Sequence, residues 1–337
     1  MKRRRIIAGL CVLVTGCTGQ NSSNTQTATA NTNTPTETPS PTPTSTPSPT
    51  ASPTEARPNE AEDEIDRARE SLSKAVAAYN DEVDTLYSPS RDISFSTSSI
   101  QTHLTTADSA LESARTQATD EQTKQIDFLR GYYEFVNTLL AVLNDHAAAT
   151  GSFETGRSQF SNGQYQTAIG TFRTSKDHLQ SALDGVATAK EKLGELEDAS
   201  LEGSEIGYSE ALSALNSLTS WFGTMDVLLT GYESHSLGMS RFNRAGEIYN
   251  EGFYDSAKGT FSDAIEYLNT AAESYPSPED TDVQSRIVYY NYLECRTNND
   301  LSAAKEMKKA CVEMQNGNKK KANELVGSAN EHLLADC

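Results

Sequence analysis

Phe160-Ser161-Asn162-Gly163-Gln164-Tyr165-Gln166-Thr167-Ala168, closed by Phe172, returns 89 residues later as Tyr249-Asn250-Glu251-Gly252-Phe253-Tyr254-Asp255-Ser256-Ala257, closed by Phe261. In each copy a glycine stands between two apolar-periodic runs. It ends the first helix because glycine alone adopts the left-handed conformation cheaply. The aromatic and alanine after it begin a returning helix and face the partner. The stretch therefore predicts a pair of antiparallel helices, used twice.

Outward from the turn, apolar residues recur at spacings of three and four, the helical period. One seam runs Tyr165, Ala168, Phe172, Ser175, Leu179, Ala182, Val186, Ala189, Leu193, Leu196, and its copy runs Tyr254, Ala257, Phe261, Ala264, Leu268, Ala271, Tyr275. Upstream lie Ile65, Ala68, Leu72, Ala75, Tyr79 and Ile100, Leu104, Ala107, Leu111, Ala114, Ala118. Alternating large and small residues let helix axes approach closely while the large ones interlock. No run of β-branched alternation is long enough for a sheet, so the fold class is all-α. Helices are expected at 60–87, 96–118, 120–162, 164–198, 204–251, 253–275, 280–316 and 318–335, with breaks near Thr150-Gly151 and Met239-Ser240.

The self-match at a shift of 89 is ungapped and includes Leu139, His146, Phe153 and Leu179 against Leu228, His235, Phe242 and Leu268. A further shift of 65 brings Gly252, Ala257 and Leu268 onto Gly317, Ala322 and Leu333, a degenerate third copy suited to a cap. The copies span about 120–198, 209–275 and 280–335. The turn resembles that of tetratricopeptide repeats, although that family's period of ~34 residues is absent. The resemblance implies tetratricopeptide-like hairpin packing. A plain antiparallel bundle with similar turns stays open beside it.

The first residues read as an address. Lys2-Arg3-Arg4-Arg5, the apolar run Ile6–Val14 and Thr15-Gly16-Cys17 form a secretory signal over 1–16. Val14-Thr15-Gly16-Cys17 resembles a lipobox, which implies lipidation of Cys17, and the arginines resemble a twin-arginine export signal. Residues 17–58 form the next unit, with Thr, Ser, Pro, Asn and Ala predominating from Ser22 and eight of the 11 prolines among them, so a stalk is expected. In polyproline II, at ~3.1 Å per residue, it would reach on the order of 100 Å. The helical domain occupies 59–337.

Across 337 residues, 47 acidic and 28 basic side chains give a formal charge of −19, and losing residues 1–16 with their four cations makes it −23. Such acidity argues against nucleic acid, which calls for a basic footprint. Together with the signal and stalk it resembles the secreted lipoproteins of salt-loving archaea. Outward-facing, membrane-anchored localisation follows from that resemblance.

No catalytic signature is present: no GxSxG elbow, no phosphate-binding GxxxxGK[ST], no HExxH and no CxxC. The sequence therefore points to no enzyme, no cofactor and no metal site. His146 and His235 occupy equivalent repeat positions and, with Tyr132, Tyr133, Trp221 and Phe222, are the candidate partner or ligand face, although core packing is the simpler account of Trp221 and Phe222 and a helix-face position kept with the duplication that of the histidines. Cys295 and Cys311 lie about 24 Å apart along one helix, too far to bridge. In a hairpin turning at Gly317, Cys295 and Cys337 return to nearly the same height, and an oxidising setting would close that bond. Lys305, Lys308, Lys309, Lys319, Lys320 and Lys321 crowd the last hairpin, with 319–321 a basic tip for an acidic partner or anionic lipid heads. Two functions compete: a protein-protein interaction or scaffold module serving another envelope or secreted protein, and a small-ligand receptor with its site between helical copies.

Overall fold

The computed structural model describes residues 58–86, 96–198, 208–275 and 284–337. The signal, Cys17, most of the stalk and the expected helical residues 204–207 and 280–283 lie outside the described residues. Among the described residues eight helices follow in order: α1 (Pro58–Leu86), α2 (Ser98–Arg115), α3 (Asp120–Ser161), α4 (Tyr165–Asp198), α5 (Tyr208–Asn250), α6 (Tyr254–Ser274), α7 (Gln284–Gln315) and α8 (Lys319–Leu334). They pair as antiparallel hairpins, α1 with α2 through α7 with α8, and each hairpin packs on the next. Among the described residues no helix is long and apolar enough to cross a membrane.

Helix ends follow local chemistry. Pro58 opens α1, a position where its missing N–H costs nothing. Thr119 and Gln122 form a capping box on α3, the Thr hydroxyl accepting from the Gln122 amide and the Gln side chain from the Thr119 amide. Gly163, Gly252 and Gly317 take φ of 73°, 88° and 78°. At each, the glycine N–H donates three residues back and the next N–H donates five back, as from Gly163 to Phe160 and from Gln164 to Gln159. The three turns are the same Schellman motif. Because neighbouring helices alternate in direction, all three lie at one end of the stack. Pro58 and the α2–α3 turn lie at the other, where the Gln122 side chain donates to Glu62 at 3.3 Å, while Cys337, bonded to Cys295 partway along α7, stands between the two ends.

The seams read from the sequence are buried, except for Tyr165, Tyr254 and Ala118, which are half-covered, Ala118 lying past the end of α2. One core runs through the first three hairpins and reaches Leu293. A second, at the turn end, gathers Ala245, Phe261, Met307, Cys311 and Ala329. Close approach depends on glycines outside the named seams. A Cβ on Gly156 would sit 2.6 Å from the Phe172 ring, and one on Gly238 would sit 2.7 Å from Leu268.

The two expected breaks are absent. α3 runs through Thr150-Gly151 because Ala149, Phe153 and Gly156 are buried on either side, and Ser175 of α4 donates to the Ala149 carbonyl at 2.6 Å. A glycine costs a helix only about 1 kcal/mol, less than the packing of those turns supplies. α5 continues through Met239-Ser240 because Met239 is buried against Leu268, Leu301 and Ala304.

Candidate functional site

The aromatic and histidine face expected from the sequence is mostly interior. Tyr132 and Phe222 are each about 1% exposed, His146 and His235 are buried, and only Tyr133 and Trp221 are half-covered. α3 and α5 have neighbours on two sides, so they bury two faces, and aromatics lying off the first seam are enclosed by the second. Arg130 lies over the Tyr133 ring at 5.7 Å while pairing with Asp108 and Glu112 of α2. Burial, then the Asp108 charge, raises the Tyr133 phenol above its ordinary value.

The repeated histidines line no shared groove. Each reaches from one hairpin to the next: His146 on α3 packs its ring 5.1 Å from Phe222 on α5, and His235 on α5 meets α7. There a buried polar junction forms. His235 Nε2 lies 2.8 Å from Asp300 Oδ2, and Nδ1 lies 3.1 Å from the Thr297 hydroxyl. With Nε2 donating to the carboxylate, Nδ1 of a neutral ring accepts from Thr297. The second Asp300 oxygen lies 3.2 Å from the Arg296 guanidinium as an ion pair without hydrogen-bond geometry, and Arg296 donates to the Leu333 carbonyl at 2.9 Å. Phe160 closes the junction edge-on to the imidazole at 4.8 Å. Burial pushes the neighbouring Tyr275 phenol well above its ordinary range.

Hydroxyl, imidazole and carboxylate in a row are the components of an activated nucleophile. Here, however, His235, Thr297 and Asp300 are all 0% exposed. The arrangement joins α5 to α7 and α8 and offers no hydroxyl to solvent. Sequence reasoning singled out His235 but missed its partners. The available signal was the α7 seam Leu293, Thr297, Asp300, Ala304, Met307, Cys311, where two polar residues interrupt an apolar row.

Beside the junction, Cys295 and Cys337 form a disulfide, with Sγ atoms 2.07 Å and Cα atoms 5.8 Å apart. Cys311 is a free thiol, buried in the turn-end core, and burial pushes it up to about 11.

The lysines divide into a tip and a groove. Lys319 and Lys320 are exposed at the start of α8, whereas Lys321 pairs with Glu313 at 2.9 Å. That hydrogen-bonded pair holds the Lys321 ammonium above and the Glu313 carboxyl below their ordinary values. The groove, about 430 Å³, has α7 as its floor, Ile265 of α6 on one side and His332 of α8 on the other, with Ser302, Lys305, Glu306, Lys308 and Lys309 along it. A second cleft of about 450 Å³, between α3 and α4, has Phe128 and Leu196 at its base with charges of both signs around them. A third, of about 490 Å³, runs along the serine-rich start of α5. None of the three is lined by Tyr132, Tyr133, Trp221 or Phe222. Among the described residues no three His, Cys, Asp or Glu side chains converge as metal ligands.

No known protein family, no curated protein and no solved structure matches this chain.

Proposed function

We propose that the protein is a lipid-anchored, extracytoplasmic scaffold. Cys17 carries the lipid, residues 17–58 form the stalk, and the hairpin stack, tetratricopeptide-like in its turns, binds another envelope or secreted protein. The observation behind this reading is the single-file arrangement. Hairpins that contact only their neighbours leave long faces open, as helical-repeat binding proteins do. The polarity of the stack supports it too. The described chain begins at Pro58 at one end, and the three glycine turns and Lys319, Lys320 and Lys321 stand at the other. The tip then faces away from the anchor, which favours an acidic protein partner there over lipid heads.

Two measurements test the reading. C17S should move the protein from the membrane fraction to the medium; unchanged partitioning would end the lipoprotein assignment. Crosslinked purification from native membranes at high salt should then enrich one stoichiometric partner with the full chain and not with a stalk-only control.

The α3–α4 cleft, with its apolar base, favours a second reading, a receptor for a small solute. A ligand-induced rise in melting temperature across a metabolite panel, with no partner recovered, would replace the first reading by this one.

A further inference from the structure

Lysine in this molecule normally has a partner. Lys74, Lys124, Lys176, Lys192 and Lys258, all outside the last hairpin, each stand within 4 Å of a carboxylate, and Lys190 donates to Thr219 at 3.0 Å. A chain with 47 acidic residues makes such pairing easy. Among the described residues, the lysines with neither a carboxylate nor a hydroxyl in reach are Lys305, Lys308, Lys319 and Lys320, all on the last hairpin. Two of them, Lys305 and Lys308, line the groove between α6 and α8. Lys309 completes the row but already shares Glu306 at 2.7 Å. The groove therefore concentrates uncompensated positive charge on a chain whose formal charge is −19.

We propose that this groove is the docking site for an extended acidic peptide segment of the partner protein, with carboxylates alternating along it. The inference rests on the protein-binding reading above and names the chemistry of that partner. Spacing supports it: the Lys305 and Lys309 attachment points lie about 6 Å apart along α7, close to the ~6.7 Å between same-face side chains of a strand. The groove runs beside the middle of a helix, where backbone N–H groups are already used. It has no arginine fork and no helix start, the features that hold a lone phosphate. One side is apolar, from Ile265 and the lysine stems, opposite His332, and Val312, a turn beyond Lys309 on the same stripe and 39% exposed, extends the apolar surface past the groove. Small apolar residues between the carboxylates would rest there. At ordinary salt the field of the distant acidic surface dies away within ~8–10 Å, so contacts inside the groove decide the outcome.

The test uses the mature chain and a fluorescent octapeptide of alternating Asp and Ala, read by anisotropy. An Asn-Ala peptide, inorganic phosphate and phosphatidylglycerol vesicles serve as comparisons. The acidic peptide should bind saturably and the Asn-Ala peptide should not. K305E/K308E should weaken binding by about tenfold or more and K305Q/K308Q by less, while K74E leaves it unchanged. Circular dichroism should be the same for all, since these side chains lie at the surface. Equal binding by wild type and K305E/K308E, or no saturable binding, would overturn the proposal. So would phosphate displacing the peptide at equal concentration, or vesicles binding through these lysines when the peptide does not. Loss of peptide binding with native partner capture intact would refute the groove alone and leave the scaffold reading standing.

Discussion

Gly231 on α5 has no room for a methyl group: a Cβ there would overlap the Tyr275 ring. Gly246, two turns beyond Met239 on the same helix, has nothing within 4 Å of that position. G231A should therefore cost about 1–3 kcal/mol by overpacking, whereas G246A should stabilise by about 0.5–1 kcal/mol. Urea midpoints separate the two directly. The polar junction gives a second contrast. H235A leaves the Asp300 carboxylate enclosed with Arg296 as its remaining partner, which should cost about 3–5 kcal/mol. H235L/D300L, which removes the carboxylate together with the imidazole, should recover much of that loss. Cys311 sets an alkaline limit. Its thiol is raised by burial from 9.0 to about 11, so the folded state holds its proton longer than the unfolded chain does. That contribution is complete below pH 9 and is lost as pH rises from 9 through 11. C311A should flatten this part of a stability–pH curve; an unchanged slope would place the alkaline loss elsewhere.

Among the elements, α8 is the least self-sufficient. It has 16 residues, of which only Ala322 and Ala329 are fully buried. Its attachment comes from Arg296 holding the Leu333 carbonyl and from the Cys295–Cys337 bond across 42 residues. A loop of that length corresponds to about 4 kcal/mol in the chain-entropy view. C295A/C337A should raise hydrogen exchange in α8 and the end of α7 first, with α3 and α4 still protected. Helix positions were legible because glycine turns and prolines punctuate the chain. The false breaks at Gly151 and Ser240 arose because a local signal was outweighed by buried turns on either side. The face assignments failed for a different reason. A single seam is visible in a 3.6-residue pattern, but a helix with two covered faces shows apolar residues nearly all round. Tyr132 and Phe222 then look available when they are enclosed. Thr297 and Asp300 lie 62 and 65 residues from His235 in sequence, and no local spacing connects them.

At the scale of the whole molecule, charge and stacking decide behaviour together. A formal charge of −19 makes the compact state repel itself. Screening that repulsion should raise the melting temperature steadily between roughly 0.1 and 2 M KCl, beyond the ~10 Å screening length that operates at the lower value. A flat or falling trend would mean that the salt-sensitive ion pairs between helices, such as Arg173–Glu233 and Lys192–Glu134, outweigh it.

The one-after-another order of the hairpins also has a mechanical consequence. A pull applied at Pro58 acts on α1 at one margin of the stack, and a load held at α8 reaches it only through every intervening junction. Rods loaded from one edge part row by row, so rupture should proceed as a ladder of small steps, each the size of a hairpin. A membrane-tethered molecule built this way would lengthen gradually under shear flow and keep its grip, where a closed bundle would let go in a single event.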